Sequence, residues 1–173
     1  MAAERIITAD NASAELLERA RSALNTVCDP EIPVLTIEDL GVLRDVSITE
    51  NECVQVVITP TYSGCPAMNT ISMDIETALN KVDIDKVKVE LVLSPAWTTE
   101  WMSEEGRQKL LEYGIAPPVT GGTRGSLFGE AEIACPQCGS KNTEKLAEFG
   151  STACKALYRC KACLEPFDYF KCL

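Results

Sequence analysis

The chain of 173 residues contains no histidine. That excludes a Cys–His or Ser–His catalytic pair within it, and any imidazole metal ligand. General acid–base work falls to Asp, Glu, Lys, Tyr or Cys. Long apolar runs are missing as well. None approaches the roughly 20 residues of a membrane-spanning helix, so no membrane partner is expected. The start, Met1-Ala2-Ala3-Glu4-Arg5, carries an early acid and lacks the apolar core of a secretory leader. A reducing, cytoplasmic setting is the expectation. There, cysteines serve as metal ligands or reactive thiols rather than as disulfides. Positive charge is scarce: 16 Lys and Arg stand against 26 Asp and Glu, for a net charge of −10. Residues 1–129 hold 20 acids and 10 bases, whereas residues 130–173 hold six of each. An acidic body repels phosphate backbones, so nucleic acid is not an expected partner.

Against these absences stand nine cysteines and a 46% hydrophobic content, enough for a real core. Asp10, Asn11 or Ser13 can cap a first helix whose buried face is Leu16, Leu17, Ala20, Leu24 and Val27. Pro30 disfavours helix before it, which ends this element near Cys28. Asp29-Pro30-Glu31-Ile32-Pro33 is too proline-rich for regular structure, and Gly41 closes a short turn after Thr36. Val42, Val46 and Ile48 read as a strand. Thr49-Glu50-Asn51-Glu52 turns it onto a second strand at 53–59. A helix follows at 66–81, then a third strand with Val87, Val89, Leu91 and Leu93 on one face. Ser103 opens a last helix that closes at Tyr113-Gly114. The order α-β-β-α-β-α describes an α+β layer, a small mixed sheet with helices mainly on one face. Residues 1–114 form this domain. Residues 115–129 are a linker by their glycine and proline content. Residues 130–173 form a small β-rich ribbon.

Cysteine carries the chemistry in both parts. Cys135-Pro136-Gln137-Cys138 and Cys160-Lys161-Ala162-Cys163 are two knuckles that together offer four thiolates in a tetrahedron. About forty residues cannot bury enough surface alone, so a metal is the expected staple. Zinc is the expected ion, and a single rubredoxin-type iron fits the same four sulfurs. Cys154 and Cys172 are extra thiols, each able to replace a ligand or to pack as a spare. In the first domain, Thr61-Tyr62-Ser63-Gly64-Cys65-Pro66-Ala67-Met68 joins a strand to a helix. Pro66 suits the first helical position, so Cys65 falls at or beside the N-cap. Free N–H groups and the helix dipole there favour thiolate over thiol. The opposing reading of Cys65 is a small buried hydrophobe. The residues assign no role to Cys28 or Cys53.

Residues of about 10–113, with Asp29-Pro30-Glu31-Ile32-Pro33, Asp39-Leu40-Gly41-Val42 and Ser63-Gly64-Cys65-Pro66, resemble the SufT-like iron–sulfur assembly family. The run Phe149–Cys160, the ending Glu165–Cys172 and Ser94-Pro95-Ala96-Trp97-Thr98-Thr99 narrow this. Assembly domain plus cysteine ribbon resembles the D-type family of bacterial phenylacetate-degradation operons. The resemblance implies an accessory or maturation factor for the multicomponent ring-1,2-phenylacetyl-CoA epoxidase, not catalytic alone. Its implied partners are the oxygenase and reductase components, with a homodimer left open. It maps the family's key cysteine onto Cys65 and its acidic motif onto Asp29 and Glu31. It implies transient iron or iron–sulfur binding at Cys65. One thiolate cannot hold a cluster, so further ligands would come from Asp29, Glu31, a second subunit or a client. Asp29 or Glu31 could instead act as the thiol's base. Two other readings compete: a structural or rubredoxin-like electron-transfer subunit, and a cysteine-dependent enzyme using Cys65.

Overall fold

The computed structural model describes residues 9–49, 51–119 and 132–171. The proposed caps Asp10 and Asn11, the turn residue Glu50, Cys172 and the linker beyond residue 119 lie outside the described residues or side chains. Ser13 lies inside the first helix, α1 (Ala9–Leu24), rather than at its start. That helix also stops before Cys28. The Thr26 hydroxyl donates to the Ala23 carbonyl at 2.7 Å. The chain then turns so that Cys28 bridges Thr36, and that pairing requires extended backbone where the proline argument allows helix.

Strands β1 (Leu43–Ile48) and β2 (Val54–Ile58) form the antiparallel hairpin. Helix α2 (Ala67–Asn80) crosses over and returns the chain as β3 (Val87–Leu91), parallel to β2. The sheet is therefore mixed, in order β1-β2-β3. Val54, Val56 and Ile58 alternate on its covered face and are fully buried. They meet Ala20 and Leu24 of α1 and Ile71, Ile75 and Leu79 of α2 in one core. On the other face, Gln55 donates to Glu90 at 2.7 Å, in keeping with a sheet wetted on one side. The expected stripe on the third strand is only half buried. Leu91 and Leu93 are exposed, because β3 is an edge strand and they lie at and beyond its end.

Helix α3 (Glu104–Tyr113) is capped by Ser103, whose hydroxyl accepts the Gly106 N–H at 2.8 Å. Its anchor is Asp39, which is 6% exposed. The Asp39 carboxylate accepts the Thr36 N–H at 3.0 Å, the Ser103 hydroxyl at 3.2 Å and the Lys109 ammonium at 2.9 Å. Gly41 holds φ +67, and a Cβ there would lie 2.4 Å from the Trp101 carbonyl oxygen. Asp39-Leu40-Gly41 is thus a structural joint between the first loop and the last helix.

Four strands make the second sheet, in order β4-β7-β6-β5. They are β4 (Ile115–Ala116), β5 (Thr143–Ala147), β6 (Lys155–Cys160) and β7 (Pro166–Phe170). The first two residues of the segment read as linker therefore form a strand, paired in parallel with β7. Ala116, Ile133, Cys135, Cys160 and Phe167 form a small core of their own. Phe170 and Cys154 do not join it. They are buried in the large core of the first domain. The Phe170 ring meets Trp97 edge-on, with centroids 6.1 Å apart. Trp97 in turn donates its indole N–H to the Leu40 carbonyl at 2.8 Å. The Lys171 N–H donates to the Cys154 carbonyl at 2.9 Å, which ties the two inserted residues together.

Candidate functional site

The ribbon gathers its four expected sulfurs. Cys135 and Cys163 lie 3.7 Å apart and Cys138 and Cys160 3.5 Å apart. All four sulfurs lie within 4.8 Å of one another. An ion bonded to sulfur at about 2.3 Å sets tetrahedral sulfurs about 3.8 Å apart, so the spacing fits zinc or iron of similar size. Both knuckles share one local geometry. Cys135 accepts the Gly139 N–H on its carbonyl at 2.8 Å, and Gly139 holds φ 71. Four residues after Cys160, Leu164 takes the same left-handed conformation, at φ 68. The Cys163 N–H points at the Cys160 sulfur, and with the Ala162 N–H it holds that thiol down at about 6. Cys163 accepts the Glu165 N–H, but the crowding sulfurs of Cys160, Cys138 and Cys135 push it up to about 12. Four adjacent thiolates repel, and a divalent cation removes that conflict. Cys135 and Cys160 are buried while Cys138 and Cys163 are exposed.

A second cluster forms around Cys65. Pro66 holds helical dihedrals, φ −69 and ψ −22, just before α2. The Ala67 N–H reaches the Cys65 sulfur, as a helix start predicts. Burial runs against the thiolate expectation. Burial pushes the Cys65 thiol up from its ordinary value, and the charges of Glu31 and Asp29 push the same way. The Ala67 N–H and a hydrogen bond from the Tyr62 hydroxyl oppose this without reversing it. Desolvation outweighs the dipole here.

Asp29 is largely occupied. Its Oδ1 accepts the Glu31 N–H at 2.8 Å and the Ile32 N–H at 2.9 Å, closing the proline loop. Burial still raises its pKa, more than those N–H groups and the Lys155 charge lower it. Glu31 is freer, and its Oε2 lies 3.9 Å from the Cys154 sulfur. Cys154 also pairs with the Thr152 hydroxyl at 3.0 Å. Burial raises its pKa, with Glu31 and Asp29 adding to the rise. Tyr62 is pushed up to about 12 by burial, then by Cys65, Glu31 and Cys154. Lys155 is buried, its nearest carboxylate being Asp168 at 3.8 Å. The cluster thus brings together Asp29, Glu31, Tyr62 and Cys65 of the first domain with Cys154 and Lys155 of the ribbon. Sequence reasoning reaches Asp29, Glu31 and Cys65. It treats Cys154 as a spare thiol and gives no role to Tyr62 or Lys155. Tyr62 lies three residues before Cys65 and is within reach of local reasoning. Cys154 is not, because 89 residues separate it from Cys65.

Residues 17–91 match a family described as iron-sulfur cluster assembly protein, and residues 120–171 match the PaaD zinc beta ribbon domain. The chain is 50% identical over 150 residues to a putative 1,2-phenylacetyl-CoA epoxidase subunit of Escherichia coli K12, covering 87% of this chain and 89% of that one. It is 38% identical to an Fe-S protein maturation auxiliary factor of Porphyromonas gingivalis, covering 50% of this chain and 83% of that one. The crystal structure of a domain of unknown function, DUF59, from Bacillus anthracis superposes with a TM-score of 0.52 at 29% identity. It covers 57% of this chain and 94% of that one. No helix among the described residues is long and apolar enough to cross a membrane.

Proposed function

Because the chain belongs to the PaaD family, that of the putative 1,2-phenylacetyl-CoA epoxidase subunit it matches, we propose that it is an accessory factor that helps load iron or an iron–sulfur centre onto the reductase or oxygenase component of that epoxidase. Cys65 is the residue that takes the cargo, and Glu31, whose charge acts on it, is its carboxylate helper. One observation carries the reading: a half-buried thiol at the start of α2 accepts from the Tyr62 hydroxyl and feels the charges of Glu31 and Asp29, which with burial push it up. A protein that must release what it binds gains from such a site. The thiol gives up its proton only when a cation arrives, so binding is reversible and pH-dependent. The same raised pKa weighs against a cysteine enzyme, because a nucleophile needs its thiolate at working pH.

In this reading Cys135, Cys138, Cys160 and Cys163 hold a resident zinc ion, which acts as a staple and supplies no redox chemistry. A second reading has support in one feature. Cys138 and Cys163 are exposed, as an electron-transfer iron centre needs. Pure protein separates the two: a zinc ribbon is colourless, and a ferric tetrathiolate is not. The maturation role is tested in cells by Cys65→Ser. Serine keeps the volume but supplies no thiolate. The expected result is a folded protein, an iron-poor reductase or oxygenase, and lost epoxidase activity. Normal metal content and activity would overturn the proposal. So would a stoichiometric need for this chain in turnover of fully loaded epoxidase.

A further inference from the structure

We propose that Cys154 of the ribbon is the second thiolate ligand of the cargo site, completing with Cys65 and Glu31 a three-donor site for ferrous iron that spans the two domains. The inference rests on the maturation reading and supplies the ligands that one thiol lacks.

The placement carries the argument. Cys154 sits in the first domain's core cluster rather than in the ribbon's. Phe170 beside it is 1% exposed, and the Lys171 N–H to the Cys154 carbonyl fixes that backbone. Glu31 stands at 3.9 Å from the Cys154 sulfur, and its charge acts on Cys65 as well. Tyr62 donates to Cys65 and feels the charge of Cys154. Cys154 and Glu31 are therefore in contact, and Cys65 packs against the same core as Cys154 and feels the Glu31 charge, with Asp29, Tyr62 and Lys155 around them. Two sulfurs and an oxygen suit a borderline divalent ion better than a hard one. As iron binds, two metal–sulfur bonds form and the two S–H protons leave to solvent. These donors are not pre-gathered. Among the described residues, only the ribbon cysteines form a group of three or more such donors within 4.8 Å of one another. Closing the cargo site therefore costs side-chain ordering, which keeps it weaker than the ribbon and makes the cargo exchangeable.

The test uses the full chain with its ribbon zinc-loaded and is run anaerobically, with Co2+ as the probe. Each cobalt–thiolate bond adds near-ultraviolet charge-transfer absorption. Wild type is expected to take one cobalt beyond the retained zinc, with the intensity of two thiolates. Cys154→Ser and Cys65→Ser should each halve that intensity. Each should also weaken binding by more than the ~10-fold cost of losing an outer-shell partner. Glu31→Gln should weaken binding and keep the full intensity. Zinc content of one per chain in each variant shows that the ribbon stays folded. Full intensity in Cys154→Ser, or no extra cobalt in wild type, overturns the proposal. Neither result touches the maturation reading, which stands or falls on Cys65→Ser in cells.

Discussion

The two cysteine sites of this chain solve opposite problems. In the ribbon, four sulfurs lie within 4.8 Å with backbone N–H groups aimed at Cys160 and Cys163. Cys160 is held down near 6 while the crowding sulfurs push Cys163 up, a conflict that a cation resolves. Around Cys65 the balance is reversed. Burial and two carboxylates keep both Cys65 and Cys154 protonated. Thiol chemistry is thus set by the neighbours and not by the residue type. Aimed N–H groups and crowded sulfurs make a site that holds. Buried thiols beside carboxylates make one that waits. The two are also mechanically joined. Strand β6 runs from Lys155 to Cys160, so it starts beside Cys154 and ends at a ribbon cysteine, roughly 20 Å away.

The largest effect should come from stripping the ribbon metal. Binding free energy at such sites is folding free energy, on the order of 10 kcal/mol. Residues 132–171 should lose amide protection. Phe170 would leave Trp97, so Trp97 fluorescence should shift as well. An unchanged Trp97 signal after metal removal would mean that the two regions are independent. Phe170→Ala comes next. Truncating a buried phenylalanine costs about 3–5 kcal/mol. Urea unfolding should show that loss, and Cys154 should become reactive toward thiol reagents in the folded protein. A small loss with Cys154 still protected would dissolve the shared core and leave two ordinary tethered domains.

Much of this is legible in the residues, and the exceptions share one cause. The strand and helix order follows from alternation and 3.6-residue spacing, both local signals. The ribbon ligands follow from CxxC spacing, which is also local. Leu91 and Leu93 alternate correctly, yet they are exposed, because alternation says nothing about which strand is an edge. Gly41 reads as a helix stop, and the Trp101 carbonyl behind it is invisible to local reasoning. Cys65 is expected at a helix start, where it is, but its protonation depends on burial and on Glu31 across a loop. Phe170 and Cys154 look like parts of an autonomous ribbon. Their insertion into the other domain is a docking fact that no local pattern encodes.

The smallest effects are the sharpest test of the waiting site, because two substitutions should move one observable in opposite directions. The observable is the pH midpoint of Cys65 alkylation in protein whose ribbon is zinc-protected. The negative charge of Glu31 disfavours the Cys65 thiolate, so Glu31→Gln should lower the midpoint and speed alkylation at neutral pH. The Tyr62 hydroxyl stabilises the thiolate by donating to it, so Tyr62→Phe should raise the midpoint and slow alkylation. That hydrogen bond contributes about 0.5–1.5 kcal/mol, so global stability should barely change in either variant. The linkage sign agrees. Cys65 binds its proton more tightly folded than unfolded, so its contribution to stability should fall as pH rises past the ordinary thiol value. Glu31→Gln should blunt that alkaline loss, and Tyr62→Phe should deepen it. If both variants move the midpoint the same way, solvent access controls Cys65, and the charge and hydrogen bond placed around it do not.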